Sequence, residues 1–593
     1  MNFKNENRAL SLALAALLVL SCGGEPDGAK STAADDPVAR ALAVAQEYVD
    51  SYYHQFPEEA YEFGYPNPPL DRFGDHSPDA LAGWHAREDA WLETLRGINP
   101  LSLERTEAAV PYAFVLERLE ASRDLRICRS ELWTVSPTWS GWQDFLPANF
   151  IRQAVGTDEA RAAVLARARD VVRFIETDTA NLRLGLSLGY VAPRSGVEAT
   201  ILLTDSLLGD SPEMSPFYEP AARDGTKKFA SSLLAVIEND INPTIRRYRD
   251  FLSSEYLPGA RDSIAVTDAP DGAACYAAAI RFHTSMSLSP EEIHETGLRE
   301  MERLYEEMRV IGHRSFGIDD PKELLEHVRI NPDYRFGSEQ EILDYARAAV
   351  ERGKASVPDW FGFVPKAEIV VRPYPKYLKR TGGGLQSIGS PDGGIPAMFE
   401  IGTYDPKGLG RAEIEALTFH ETFPGHHLQT AVAMERGGGH PVLQHFFFNA
   451  TGEGWALYTE KLADEMGLYS SDLSQIGRLS SEAWRAARLV VDPGVHALGW
   501  TRQEAIDYML ENTSLSEGEV IYEVNRYIAV PAQAVSYMIG SLEIQRLRRL
   551  AEERLGDRFD IRAFHDAVIE DGTVTLEMLR HKIERWIESE QEY

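Results

Sequence analysis

Apolar residues recur at helical spacing over most of the chain from residue 37 onward. Spacings of three and four residues bring such side chains to one face of a helix, which then packs against the rest of the protein. We therefore expect a mainly α protein with a large helical body. The predicted helices cover 41–53, 80–95, 103–125, 158–182, 289–311, 411–421, 427–435, 452–466, 473–490, 501–512, 515–527, 531–554 and two further segments within 560–589.

One stretch departs from this pattern. Residues 369–372 read Ile-Val-Val-Arg, which is typical of a strand, and glycines crowd the segment 381–399 that follows. Such a segment suits a loop or hairpin passing close to a ligand, although a surface loop without a ligand would have the same composition. We expect a small β element here, beside the helix that comes next in the chain.

The N-terminus has the pattern of an export signal. Lys4 and Arg8 precede an apolar run, 9–20, that is too short to span a bilayer. The run ends in Val-Leu-Ser-Cys, which resembles a bacterial lipobox with Cys22 as the lipidated residue. An ordinary secretory signal with an unrelated cysteine is the alternative, and both predict export.

The pattern divides the chain into a signal over 1–22, a small polar tether over 23–36 and one catalytic body over 37–593. The protein is expected in the cell envelope, held by a lipid, at the outer membrane if the cell is Gram-negative. Which face of that membrane it occupies does not follow from the sequence.

Composition limits the partners. A hydrophobic content of 44% with 26% charged residues is that of a folded protein. The net charge of −32 argues against nucleic acid and against an anionic membrane surface as partners, so we expect membrane contact through the lipid anchor alone. Cys128 and Cys275 either pair or stay as buried thiols, and neither this question nor the oligomeric state follows from the sequence.

The strongest chemical signal is the segment 419–429, FHETFPGHHLQ, which concentrates His420, Glu421, His426 and His427. A zinc-protease helix normally carries H-E-x-x-H, with two histidines one turn apart and the glutamate as general base. Here the fourth residue after His420 is a proline, so the usual spacing is broken.

The broken spacing predicts a helix break. On an unbroken helix His420 and His426 would point about 120° apart, and His427 would lie about 10 Å further along. Neither pair could then share one metal ion. Pro424 and Gly425 lie between them and favour a kink. We interpret H-E-x-x-P-G-H-H as an H-E-x-x-H site with two residues inserted at that kink.

A third protein ligand is needed, and the segment GEGWALYTE offers two glutamates. It resembles the N-E-G-x-A-x-Y-x-E signature of thermolysin-like peptidases, in which the first glutamate binds zinc. This favours Glu453 as the ligand. Glu460, two turns later, would then orient a ligand histidine.

Further residues suit the remaining roles in a hydrolase. Tyr537 and His496 are polar groups in apolar helical segments, and either would supply a donor for an oxyanion. Arg488 and Arg526 would grip a substrate carboxylate with two hydrogen bonds.

Four motifs together, FHETFPGHHLQ, GEGWALYTE, VVDPGVHALGW and RYIAVPAQAVSYMIG, resemble the bacterial lipoprotein family catalogued as domain of unknown function 885. The resemblance implies a largely α-helical body related to zinc metallopeptidases of the carboxypeptidase or oligopeptidase type.

We therefore expect a zinc-dependent peptide hydrolase. His420, His426 and Glu453 would hold Zn²⁺, and Glu421 would serve as general base. His427 would either replace His426 as ligand or contact the substrate. One alternative is a metal-dependent hydrolase of a non-peptide amide or ester. Another is a non-catalytic envelope lipoprotein that binds peptide or metal, although a pure binding site would not need Glu421.

Overall fold

The computed structural model describes residues 36–61, 63–374, 381–389, 396–436 and 439–592. The signal segment, the lipidation predicted at Cys22 and the tether up to residue 35 lie outside this range. None of the helices within it is both long and apolar enough to cross a bilayer.

Helices dominate the described chain, so the mainly α prediction is confirmed. In the first half they are α1 (Pro37–Gln55), α2 (Pro78–Arg96), α3 (Ala109–Leu125), α4 (Trp142–Arg152), α5 (Asp158–Leu188), α6 (Arg194–Ser206), α7 (Glu219–Asp224), α8 (Lys227–Val236), α9 (Asn242–Phe251), α10 (Gly272–Thr284) and α11 (Pro290–Ile311). In the second half they are α12 (Pro321–Ile330), α13 (Glu339–Trp360), α14 (Ile414–Glu421), α15 (His426–Glu435), α16 (Pro441–Gln444), α17 (Asn449–Glu465), α18 (Asp472–His496), α19 (Arg502–Asn512), α20 (Glu517–Ala529), α21 (Ser536–Leu555), α22 (Ile561–Ile569) and α23 (Leu576–Glu592).

The predicted β element is a three-stranded sheet made of β1 (Ile369–Pro373), β2 (Thr381–Ser387) and β3 (Ala397–Thr403). Its order is β1-β3-β2, with β1 parallel and β2 antiparallel to the central strand β3. Within the described residues, β2 is therefore an edge strand. The backbone amide of Gln386 in β2 donates a hydrogen bond to Glu421 at the end of α14, which places the strand beside that helix.

Two helices that carry candidate site residues, α17 and α21, pack backbone against backbone. A Cβ placed on Gly454 would lie 2.5 Å from the Cα of Gly540, and one on Gly540 would collide with the carbonyl of Ala450. Only glycine allows this approach, since any side chain would force the helices apart. The contact fixes Glu453 on α17 relative to Tyr537 on α21.

Nearly all of α18 is buried, from Ser474 to His496, and it packs against α11, α14 and α17 in the interior. Elsewhere the structure joins Cys128, just after α3, to Cys275 in α10 by a disulfide, which was one of the two alternatives left open by the sequence. The division of the chain into one catalytic body and its leader stays a prediction.

Candidate metal centre

The helix break predicted between His420 and His426 is present. Helix α14 ends at Glu421 and α15 begins at His426, with Pro424 and Gly425 in the turn between them. A Cβ on Gly425 would collide with the carbonyl oxygens of the preceding helix, so glycine is required there. The carbonyl of Pro424 accepts a hydrogen bond of 3.1 Å from the buried indole of Trp455, which fixes the turn against α17.

The break brings three side chains together. The Nε2 atoms of His420 and His426 lie 3.5 and 3.3 Å from one carboxylate oxygen of Glu453. The two imidazole rings are nearly perpendicular, with centroids 4.8 Å apart. One ligand atom from each of the three residues falls within 4.8 Å of the others. His420 and His426 are buried, and Glu453 is largely so.

The spacing of these three atoms is compatible with a shared metal ion. Hydrogen bonds between charged groups are about 2.7–2.9 Å long. Ligand atoms about 2.0–2.2 Å from a tetrahedral zinc ion lie roughly 3.4 Å apart. Two imidazole nitrogens and one carboxylate oxygen form a donor set that zinc uses in hydrolases.

Glu460 orients His420. Its carboxylate lies 2.8 Å from His420 Nδ1. Burial would raise the pKa of Glu460, but the charge of Arg485 and the hydrogen bond from His420 outweigh burial and lower it. The carboxylate is therefore ionised and accepts the proton of His420 Nδ1, which leaves Nε2 as the atom that would bind a metal ion.

The electrostatics of the cluster favour positive charge. Burial alone would lower the pKa of His420, yet its hydrogen bonds with Glu453 and Glu460 and the charges of Glu460 and Glu421 raise it to about 9. Burial would raise the pKa of Glu453, but the two histidines hold it well below its usual range. The cluster thus stabilises a cation, whether proton or metal ion.

Glu421 lies beside the cluster without belonging to it. It is the last residue of α14 and is only 7% exposed. One carboxylate oxygen accepts a hydrogen bond of 2.9 Å from the Gln386 amide on β2. This fixes the carboxylate next to His420 between the cluster and the edge strand, where a general base is expected.

Tyr537 is also next to the cluster. Its ring lies nearly parallel to that of His420, with centroids 6.3 Å apart. Its hydroxyl accepts a hydrogen bond of 3.1 Å from Arg526, and the guanidinium of Arg488 lies 4.4 Å from its ring centroid. No described group accepts a hydrogen bond from this hydroxyl, so its proton can be donated to a substrate oxygen.

Arg488 and Arg526, the two arginines predicted to bind a substrate carboxylate, both form ion pairs with Glu523. Glu523 lies 2.9 Å from Arg488 and 3.3 Å from Arg526. The Nη1 atom of Arg488 is buried and has no partner among the described residues. One carboxylate thus balances two guanidinium groups, and a positive charge remains beside Tyr537.

Two predicted site residues have other partners. His496 Nδ1 accepts from the Val266 amide at 3.1 Å, and its Nε2 donates to the Tyr527 carbonyl at 2.9 Å. Burial lowers the pKa of His496 to about 4. With both nitrogens bonded to backbone, His496 has no hydrogen left for an oxyanion, so the role expected of it does not fit this geometry.

His427 likewise faces away from the cluster. Its Nε2 donates to the Ala367 carbonyl at 3.0 Å, its ring packs against Phe423, and burial lowers its pKa to about 4. Neither the ligand role nor the substrate contact expected of His427 fits these contacts. Of the two adjacent histidines, it is His426 that lies next to Glu453.

The sequence analysis did not identify Asn449 and His283 as neighbours of the cluster. The Asn449 side-chain amide lies 2.9 Å from His283 Nδ1, and Asn449 comes one helical turn before Glu453 on α17. That spacing was readable from the sequence, since residues four apart share a helix face. Nothing in the sequence connects residue 283 with this site.

Residues 57–583 match the family described as "Bacterial protein of unknown function (DUF885)". No curated protein matches the sequence. A crystal structure of "the putative lipoprotein from Colwellia psychrerythraea" is 24% identical, covers 93% of this chain and 100% of its own, and superimposes with a TM-score of 0.87. A "putative lipoprotein of unknown function from Shewanella oneidensis" is 18% identical, covers 91% and 99%, and has a TM-score of 0.71. These likenesses show a shared fold, whereas the resemblance to thermolysin-like peptidases stays a prediction.

Proposed function

The chain belongs to the bacterial family of unknown function DUF885, and we propose that it is an exported, lipid-anchored zinc hydrolase that cleaves peptide bonds. The observation that carries the proposal is the meeting of His420, His426 and Glu453 at 3.3–3.5 Å. These residues converge at a helix break, with a glutamate beside them. The donor set is that of carboxypeptidases and oligopeptidases that use zinc.

Each residue has a distinct task in this reaction. His420, His426 and Glu453 hold the zinc ion, which when bound acidifies water and polarises the substrate carbonyl. Glu421 accepts the proton of the attacking water and then delivers it to the leaving amine. The Tyr537 hydroxyl donates a hydrogen bond to the oxygen that becomes negatively charged.

The edge strand β2 supports a peptide as substrate. The Gln386 amide points off the free edge of β2, because β3 pairs with the other edge and the amide hydrogen reaches Glu421. An extended peptide laid along that edge would form backbone hydrogen bonds whatever its side chains. Its scissile bond would then pass in front of Glu421.

The test is the Glu421→Gln variant of the full chain, prepared beside the unaltered protein. Each preparation is stripped with a chelator, reloaded with zinc and incubated with a peptide library. We expect the variant to keep its zinc and its melting temperature while hydrolysis falls about 10²–10⁴-fold, because glutamine cannot accept the proton.

Glu295→Gln is the matched control, since Glu295 follows His294 in a second His-Glu pair but is exposed on α11. It should hydrolyse peptides at the unaltered rate. Undiminished hydrolysis by zinc-loaded Glu421→Gln would disprove the mechanism. Cleavage of amides or esters but not peptides would identify a different substrate class, and zinc binding without any hydrolysis would identify a binding protein.

A further inference from the structure

Two arginines are linked to the histidines of the candidate metal centre through aromatic residues. Arg526 bonds to the hydroxyl of Tyr537, whose ring faces His420. On the other side, the guanidinium of Arg118 lies 4.7 Å from the ring centroid of Phe446. The next residue, Phe447, packs its ring 5.8 Å from that of His426. Arg526 is thus linked to His420 through the ring of Tyr537, and Arg118 is linked to His426 through the neighbouring residues Phe446 and Phe447.

Arg118 stands in an aromatic box without an acid partner. Besides Phe446, its guanidinium lies 5.7 Å from the ring centroid of Tyr52 and 5.8 Å from that of Phe282. Its Nε donates to the Tyr48 hydroxyl at 3.1 Å. No described carboxylate comes within 4.0 Å of it. The charge of Glu59 acts on Arg118 from further away, and that carboxylate accepts a hydrogen bond from Tyr52.

The positive charges of Arg118 and Arg526 both act on His283. After burial, these two cations are the causes that lower the pKa of His283 to about 3. His283 is therefore neutral, and its Nδ1 accepts from the Asn449 amide at 2.9 Å. Arg526 shares Glu523 with Arg488, so that acid does not neutralise both. A chain with a net charge of −32 thus concentrates uncompensated positive charge beside its candidate metal site.

We propose that Arg118 and Arg526 bind the free carboxyl terminus of a peptide substrate. A planar guanidinium matches a carboxylate with two parallel hydrogen bonds, and an arginine stacked on aromatic rings is already oriented and weakly hydrated. Tyrosine or lysine would not offer that geometry. The inference rests on the proposed function and deepens it, because it assigns the substrate class.

The position of this subsite limits how far the carboxylate lies from the scissile bond. Asn449, which contacts His283, is one helical turn, about 6 Å, from Glu453 along α17. An extended peptide covers about 3.3–3.6 Å per residue. The carboxylate therefore lies within about two residues of the cleaved bond, so the products include a free amino acid or a dipeptide.

The experiment measures binding apart from catalysis. The zinc-loaded Glu421→Gln chain is titrated by calorimetry with N-acetylated peptides that differ only in a free or amidated carboxyl terminus. We expect the free acid to bind at least about tenfold tighter, a difference of about 1.4 kcal/mol. Arg118→Gln in the same background should abolish that preference.

Arg183→Gln is the matched control, because Arg183 also lies over a ring, 4.7 Å from Phe251, but pairs with Glu255 at the surface. It should keep the preference. If Arg118→Gln does not fold, two measurements still test the inference. One is the affinity of the Glu421→Gln chain for the free-acid peptide against the amidated peptide, and the other is the same comparison with Arg526→Gln added. Equal affinity for acid and amide would overturn the inference, even where the unaltered protein hydrolyses both and the proposed function stands.

Titration of the same proteins with inorganic phosphate tests whether this subsite is specific for peptides. Arg118-dependent binding of phosphate as tight as that of the free-acid peptide would overturn the assignment to peptides and indicate a general anion site. Tight, Arg118-dependent binding of the acid without hydrolysis by the unaltered protein would support the subsite and contradict the proposed activity.

Discussion

His426 and His427 are neighbours in sequence with opposite surroundings. His426 faces Glu453 at 3.3 Å, whereas His427 donates to the Ala367 carbonyl. We expect His426→Ala to lose stoichiometric zinc, because two remaining protein ligands hold the ion poorly. His427→Ala should keep about one zinc per chain. Metal analysis after dialysis distinguishes them, and retention in His426→Ala with loss in His427→Ala would reverse the assignment.

His496 contributes to stability in a pH-dependent way. Burial holds its pKa near 4 in the folded protein, against about 6.5 in the unfolded chain. The unfolded chain therefore binds an extra proton between these values. The contribution is complete above about pH 6.5 and is lost as the pH falls towards 4.

Between pH 7 and pH 5 the free energy of unfolding of the unaltered protein should fall by up to about 2 kcal/mol more than that of His496→Gln. Urea titrations at both pH values measure this difference, in which the other titrating groups cancel. The variant should keep its zinc and its hydrolysis at pH 7. A large loss of hydrolysis with an unchanged pH dependence would instead restore the oxyanion role expected from the sequence.

The sequence was most informative where chemistry is local. His420, His426 and Glu421 could be identified because ligand spacing and the Pro-Gly pair lie in one short segment. The backbone partners of His496 could not be predicted, because a histidine in an apolar helix is compatible with several roles until its partners are known. Arg118 could not be found, since its contact with Phe446, the residue before Phe447 at His426, is created by packing between segments more than 300 residues apart.

At the scale of elements, the contact between α17 and α21 should control the site. A Gly540→Ala side chain would collide with the Ala450 carbonyl. Because backbone has to move, we expect a loss of about 3 kcal/mol in the free energy of unfolding, the upper end of the usual cost of overpacking, and weaker zinc binding. Gly518→Ala is the control, as nothing lies within 4 Å of its added Cβ on α20.

Thermal denaturation and zinc titration of both glycine variants test this prediction. The control should change stability by no more than about 1 kcal/mol and leave zinc affinity unaltered. A Gly540→Ala protein as stable as Gly518→Ala would show that the helices separate without cost. In that case Glu453 would not be positioned by this contact.

Most helices were predictable as elements, whereas their ends were not. Helix α18 continues to His496, six residues beyond the predicted end, because its whole length is buried and packing outweighs the internal Pro493. The glycine-rich segment became an edge strand and part of β3, which local composition alone could not distinguish from a loop. Burial and pairing partners, which decide such cases, are properties of the folded chain.

For the whole molecule, attachment to a membrane should depend on Cys22. The lipobox pattern ends at this residue. Cys22→Ala should abolish incorporation of labelled palmitate and move the protein from the membrane to the soluble fraction. Labelling and fractionation of cells producing each form measure this. A Cys22→Ala protein that stays in the membrane fraction would contradict a lipid anchor at this position.

The glycine contact between α17 and α21 also bears on how a substrate arrives. The side chains of the cluster are buried to different degrees, since His420 is only 3% exposed whereas the side chain of Glu453 is 15% exposed. Because these two helices touch through their backbones, a change of side-chain rotamer cannot separate them at this contact. They should therefore move together as one rigid body. Glu453 and Tyr537 should therefore keep their separation while the proposed hydrolase binds a substrate. Any movement that accompanies binding would then involve the elements around this pair rather than the contact itself.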